Sequence, residues 1–231
     1  MCSFRPLAIL AGLALPLCAQ TAMPLLGAGT GGIANGFRQS VACVTSAPSV
    51  TCTFPQTTST GNGVAVFVAL TLTSSVCTVT SPPSTTYTAG PTAGGVDQVL
   101  RSFYALSMTG AATVTVACTG GMFLYVGADE FSGFSTLDRT GANTVAAQNP
   151  TVTTSGSVTS STEYVIAAAQ DAHAVTTYTA GAGYTIRQLF GGGTAAIEDR
   201  NTKTGLSGTQ TAAFSTTDPS NLAGAVILTF K

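Results

Sequence analysis

The stretch Gly63-Val64-Ala65-Val66-Phe67-Val68-Ala69-Leu70-Thr71-Leu72 decides the fold class of this 231-residue chain. Successive side chains of a strand point to opposite faces. Val64, Val66, Val68, Leu70 and Leu72 therefore share one face, while Ala65, Phe67 and Ala69 make the other face apolar too. A strand apolar on both faces belongs in the middle of a sheet that is covered on both sides.

Upstream, residues 40–45 and 50–54 are short β-prone runs around Ser46-Ala47-Pro48 and read as a hairpin. Downstream, residues 76–80 and 85–89 flank the break Ser81-Pro82-Pro83-Ser84. A long strand over 98–108 puts Leu100, Tyr104 and Leu106 on one face and Arg101 and Phe103 on the other. Val114, Val116 and Cys118 share a face in the run 112–119, and residues 122–131 form the next strand. Residues 138–149 read as a loop and 151–160 as a polar β-prone stretch. The runs 163–170, 184–190, 194–201, 209–215 and 222–230 complete the series. About twelve to fourteen short strands without a helical period point to an all-β chain, an antiparallel β-sandwich of jelly-roll type. No repeat period and no linker emerge, so residues 37–231 read as one domain.

Residues 1–19 carry Arg5, an apolar run over 7–18 and a cleavage point after Ala19, the pattern of a secretory signal peptide. The run is shorter than the roughly 20 residues a membrane span needs, and no later segment is long enough for a stable span. Lipid attachment at Cys18 competes with simple cleavage, but Leu17 is not the small residue that attachment usually needs. The mature protein is therefore expected to be secreted, in an extracellular or periplasmic compartment that permits disulfides. Residues 20–36 form a flexible lead-in whose apolar piece, 23–26, could add to a neighbouring sheet and support self-assembly. Cys2 and Cys18 leave with the leader. Cys43, Cys52, Cys77 and Cys118 remain, with three possible pairings. Cys43 and Cys52 lie almost symmetrically about the expected turn, so Cys43–Cys52 is the first bridge and Cys77–Cys118 the second.

Charged residues make up 7% of the chain, against about a quarter in an average soluble domain. The net charge of −1 lacks the basic footprint of a nucleic-acid binder. Threonine, serine, glycine and alanine dominate, which suits an extracellular β-protein and leaves little material for acid–base catalysis. With one histidine and no C-x-x-C spacing, neither a metal nor a cofactor is expected.

The order of motifs carries a resemblance. It runs through VAVFVA (64–69), Ser74-Ser75-Val76, Thr86-Tyr87-Thr88, TVTV (113–116), Asp129-Glu130-Phe131-Ser132-Gly133, Ser135-Thr136-Leu137-Asp138, Ala182-Gly183-Tyr184-Thr185 and Ile197-Glu198-Asp199-Arg200. From Phe37 to Lys231 the chain resembles a group of uncharacterised bacterial secreted β-sandwich domains that occur alone or appended to larger extracellular proteins. The resemblance implies fold and compartment, and no reaction. The four cysteines fall where similar domains often carry ordinary strand residues.

Few residues could carry chemistry. Gly27, Gly29 and Gly32 match a dinucleotide-binding spacing but lack the strand before and helix after that it requires. Asp171 and His173 would share a strand face, yet no nucleophile elbow accompanies them, so a solvated loop histidine is the plainer reading. The acidic pairs Asp129-Glu130 and Glu198-Asp199 matter more. Glu130 shares its face with Leu124, Val126 and Ala128, and Asp129 sides with Phe123 and Tyr125. A carboxylate among apolar neighbours needs a cation or several N–H donors; Arg101 and Arg200 are the natural partners. Alternatively Glu130, Glu198 and Asp199 form a calcium, ligand or glycosidase-like acid site. Tyr178 and Tyr184, flanking Gly181-Ala182-Gly183, are the best-exposed tyrosines for stacking on a sugar. The expectation is a secreted, non-catalytic β-sandwich for extracellular binding, adhesion or surface assembly, with a polysaccharide-binding module and a hydrolase as alternatives.

Overall fold

The computed structural model describes residues 35–71, 75–83, 85–94, 98–120, 123–145, 149–171, 177–200, 205–216 and 223–231. The expected leader over 1–19 with Cys18, the expected lead-in up to residue 34 with its glycine motif at 27–32, and His173 lie outside them. Eighteen strands are present, more than expected, and one short 3-10 turn, Gly191–Gly193, is the single helical element among the described residues. No helix there is long and apolar enough to cross a membrane.

The strands are β1 (Gly36–Thr45), β2 (Ser49–Thr53), β3 (Gly63–Leu70), β4 (Cys77–Ser81), β5 (Thr85–Thr86), β6 (Thr88–Gly94), β7 (Val99–Ala105), β8 (Thr113–Cys118) and β9 (Leu124–Ser132). There follow β10 (Leu137–Val145), β11 (Thr151–Thr153), β12 (Tyr164–Gln170), β13 (Tyr178–Thr179), β14 (Thr185–Phe190), β15 (Ala195–Arg200), β16 (Thr211–Ala213), β17 (Ser215–Thr216) and β18 (Ala223–Phe230). Every pairing is antiparallel. One inner sheet has the order β1-β9-β3-β7-β6 and the other β10-β18-β12-β15-β14. A four-stranded outer sheet, β2-β8-β4-β5, covers the first; the ribbons β11-β16 and β13-β17 lie over the second. These orders do not establish the jelly-roll subtype.

The stack explains the strand that is apolar on both faces. All eight residues of β3 are buried. Val64, Val66, Val68 and Leu70 pack against Cys52, Val79, Val114 and Val116 of the outer sheet. Ala65, Phe67 and Ala69 pack against Ile166, Ile197 and Val226 of the second inner sheet. The strand β12 is buried throughout in the same way, its other face meeting Val152, Ala212 and Phe214. Full burial of each large apolar side chain contributes roughly 1.5–3 kcal/mol.

The chain holds a duplication that shows no period in its sequence. Replacing β1, β9, β3, β7 and β6 by β10, β18, β12, β15 and β14 converts one inner sheet order into the other. The bulges correspond as well. Register shifts between Phe37 and Gln39 opposite β9, and between Leu137 and Arg139 opposite β18. The paired strands β6–β7 and β14–β15 each carry a bulge too. The halves contact reciprocally: β14 lies on β1 and β9, and β6 lies on β10 and β18. This is the arrangement of a two-fold contact. The equivalent residues Phe131 and Phe230, which face Gly63 and Tyr164 in their respective registers, stack with centroids 4.6 Å apart. By register Thr88 corresponds to Thr185, so Tyr87-Thr88 and Tyr184-Thr185 form a short run repeated at matching positions.

Two local expectations change. The hairpin around Ser46-Ala47-Pro48 is a corner instead, because β1 pairs with β9 in the inner sheet and β2 with β8 in the outer one. Residues 138–149 were expected as a loop, yet β10 runs from Leu137 to Val145. Its described side chains are mostly half-buried, so no apolar alternation marks it. At Gly141 the backbone of β11 comes so close that a Cβ would lie 2.1 Å from the Thr153 carbonyl oxygen.

Both bridges form as paired: Cys43–Cys52 spans the corner with Cα atoms 5.6 Å apart, and Cys77–Cys118 links directly opposed residues of β4 and β8 at 4.1 Å. They close segments of 9 and 41 residues. By loop entropy, removing them should cost about 3 and about 4 kcal/mol, so the double alanine variant at 77 and 118 should melt lowest in urea titrations. At the seam, a Cβ on Gly127 would lie 2.8 Å from Ile197 Cδ1 and 2.9 Å from Phe190 Cδ1. Gly127→Ala should therefore destabilise by about 1–3 kcal/mol through overpacking, measured the same way.

Candidate functional site

Every acidic residue among the described residues takes its side chain out of solvent. Asp129, Glu130, Glu163, Asp171, Glu198 and Asp199 are buried, and the Asp138 side chain is 2% exposed. Adjacent residues on a strand face opposite ways, so each acidic pair is split between two layers.

Asp129 of β9 and Asp199 of β15 turn into the seam between the inner sheets. The cation there is Arg187, rather than the expected Arg101 or Arg200. It occupies the bulge of β14 between Ile186 and Gln188, and a bulge re-aims the side chain it carries. Its Nε donates to Asp199 Oδ1 at 2.6 Å, and its guanidinium stacks 4.3 Å above the Phe37 ring. Tyr164 leans its hydroxyl on the Asp199 carboxylate with geometry short of a full hydrogen bond. Neither oxygen of Asp129 has a hydrogen-bond partner. Burial, reinforced by the charge on Asp199, pushes its carboxyl well above the usual range, only partly opposed by Arg187. Burial raises Asp199 too, against the bond and charge of Arg187. The cluster is thus best described as a protonated Asp129 beside an Asp199–Arg187 ion pair.

Glu130 points the other way, between its sheet and the outer sheet. Its Oε1 accepts from the Ser59 N–H at 2.8 Å and Asn62 Nδ2 at 2.6 Å; Oε2 accepts from Gln39 Nε2 at 2.5 Å. Glu198 faces the far side of the second sheet, where Oε2 accepts from the Gly181 N–H at 3.0 Å and Oε1 has no donor. Burial lifts it to about 7 despite backbone bonds from Gly181 and Ala213. Glu130 and Glu198 therefore occupy separate layers on opposite outer sides of the seam, and they do not converge with Asp199 on one ligand. Arg200 donates to Gln210 Oε1 at 3.3 Å.

Tyr178 and Tyr184 are buried, 8% and 9% exposed, not the exposed pair expected. The Tyr178 hydroxyl donates to the Thr194 carbonyl at 3.1 Å and its ring meets Phe214 edge-on. Tyr178 belongs to the ribbon β13-β17 and turns into the apolar layer between ribbons and second sheet, which also buries Tyr184; that layer is invisible in the sequence. The exposed aromatic is Phe123, 41% exposed and stacked on Tyr125 at 6.4 Å. Arg187, Tyr164 and Phe123 escaped the sequence analysis. Nothing short of the packing of the halves identifies the first two. The third is signalled only by an aromatic at alternate spacing from Tyr125.

No family model, no curated protein and no solved structure matches this chain.

The raised carboxyls make stability pH-dependent. For Glu198 the native state keeps a proton that the unfolded chain releases, so its contribution is complete below 4.5 and is lost as pH rises through about 7. Asp129 acts with the same sign. The melting temperature should fall between pH 4.5 and pH 7, and Glu198→Gln should flatten that fall in a thermal-melt series. At the seam, Asp129→Asn should shift stability by less than about 1 kcal/mol. Asp199→Asn, which strips Arg187 of its charge partner, should cost about 2 kcal/mol in denaturant titrations.

Proposed function

We propose that the protein is a non-catalytic extracellular binding domain serving adhesion or surface assembly. The observation that carries this reading is the partition of its polar groups. The described acids lie inside, while hydroxyls occupy the outer sheet. Thr51, Thr115, Thr80 and Thr86 are aligned in register across β2, β8, β4 and β5, on the face opposite Cys52, Val79 and Val114. Thr51, Thr80 and Thr86 are exposed, and the Thr51 and Thr115 hydroxyls bond at 2.9 Å. A flat, uncharged row of hydroxyls suits a hydroxyl-rich, weakly charged partner. Two disulfides support an oxidising compartment. The resemblance to bacterial secreted β-sandwich domains supports the same placement.

The second reading, a carbohydrate-binding module, is favoured by the exposed Phe123–Tyr125 stack, a surface of the kind sugars lie on. Pull-down of the folded chain on insoluble polysaccharides tests both. Thr51→Lys with Thr115→Lys should abolish retention on the first reading, and Phe123→Ala on the second. Glu130→Gln and Glu198→Gln should leave retention unchanged. Glycoside turnover that these glutamine variants lose would overturn the non-catalytic reading in favour of a hydrolase.

A further inference from the structure

The two halves carry the same bulge and fill it with different chemistry. In the first half the bulged residue of β1 is Arg38, whose Nε donates to Ser132 Oγ at 2.7 Å. The equivalent bulge of β10 presents Asp138 to Lys231, the residue after Phe230 as Ser132 is after Phe131. Asn62, next to Gly63, has its counterpart in Glu163, next to Tyr164. One half thus places arginine, serine and asparagine where the other places aspartate, lysine and glutamate.

Lys231 Nζ stands 2.9 Å from Asp138 Oδ1 and 2.6 Å from Thr159 Oγ1. The Thr159 hydroxyl donates to Asp138 Oδ1 at 2.5 Å and its N–H to Oδ2 at 2.8 Å. The backbone of Lys231 is fixed by its N–H to the Thr136 carbonyl and by the Ser135 and Thr136 N–H groups to its own carbonyl. Glu163 is completely buried; its Oε1 accepts from the Ser160 N–H at 2.9 Å. Its carboxyl stands beside that of Asp138, and its Oε2 has no hydrogen-bond partner. A buried carboxyl with an unpartnered oxygen thus stands beside the group that the amine faces, placed to pass protons.

We propose that Lys231 and Asp138 condense into an intramolecular amide, with Glu163 carrying the protons. The reaction starts from the ion pair. Burial pushes Asp138 up, but the bonds from Lys231 and Thr159 outweigh it and hold the carboxyl well below its usual range. Glu163 takes a proton from the ammonium and passes it to Asp138 Oδ1, and the free amine attacks Cγ of the now neutral carboxyl. The Thr159 N–H steadies charge on Oδ2 while the Cγ–Nζ bond forms. Oδ1 then leaves as water, taking its second proton from Nζ through Glu163. Ammonium and carboxylate become amide and water, Glu163 ends unchanged, and no oxidant or co-reactant is consumed. Holding the reacting groups in contact supplies the effective concentration such a step requires. Lys231, with a side chain 39% exposed, gives the water an exit. The bond would tie β10 to the end of β18 in the half that holds neither disulfide.

Protease mapping of the reduced, denatured full chain by mass spectrometry tests this. The expected result is a branched peptide joining Lys231 to the Asp138 peptide, lighter by one water than the two together. Asp138→Ala and Lys231→Arg should each give linear peptides only. Lys231→Arg keeps the ion pair, so it should remain folded and separate loss of the bond from loss of the fold. Linear peptides alone from folded wild-type protein would mean an ion pair only and overturn the proposal. A folded Glu163→Gln chain that still branches would overturn the role of Glu163.

Discussion

The seam between the two inner sheets is the constraint on which the rest depends. Each inner sheet is apolar on both faces, so neither half could leave its seam face in water without exposing Phe67, Phe131, Ile166, Ile197 and Phe230. Packing the halves against each other covers both faces at once. It also brings β14 against β1, which sets Arg187 over Phe37 and beside Asp199. The outer sheet and the ribbons then have a defined task, since each covers the face its own inner sheet still presents.

Polar geometry follows from that stacking. A strand with cover on both sides has no solvent face, so any acid placed in β9 or β15 must be buried. Its stability then depends on what the next layer offers. Glu130 meets three donors and Glu198 meets backbone N–H groups, while Asp199 meets a guanidinium. Asp129 meets no donor and responds by staying protonated. Stacked layers, rather than a cleft, thus account for four acids within a chain so poor in charge.

Much of this was legible from period-two alternation. The two-sided burial of β3 and the opposite facing of Asp129 and Glu130 follow from strand geometry alone. The cysteine pairs were right although the local geometry was not, because Cys43 and Cys52 approach equally well across a corner or a hairpin. What alternation could not supply was anything set by a neighbouring layer. The half-buried strand β10 has no apolar pattern, the apolar layer under the ribbons hides Tyr178 and Tyr184, and Arg187 reaches the seam only because a bulge turns it there. The duplication was illegible for a related reason. Equivalent positions share backbone geometry and burial, which many side chains satisfy, so identities are scattered, as at Phe131 and Phe230 or Thr88 and Thr185.

That divergence bears on the carboxyl cluster itself. By register, Leu228 is the counterpart of Asp129 and Tyr104 the counterpart of Asp199. The two-fold relation therefore places Tyr104 and Leu228 where the other side of the seam places two acids, and both pack in the same apolar layer. The backbone of the seam needs no carboxyl at that point. Apolar residues in place of a buried ion pair are often as stable or more so, so the pair is weak evidence of added stability. They do make the two sides of the seam unlike. An interface between near-equivalent sheets can otherwise slide or exchange partners, because many apolar registers bury comparable area. A guanidinium held 2.6 Å from its carboxylate is the directional contact that such an apolar seam otherwise lacks, and register specification is the best-attested use of a buried pair.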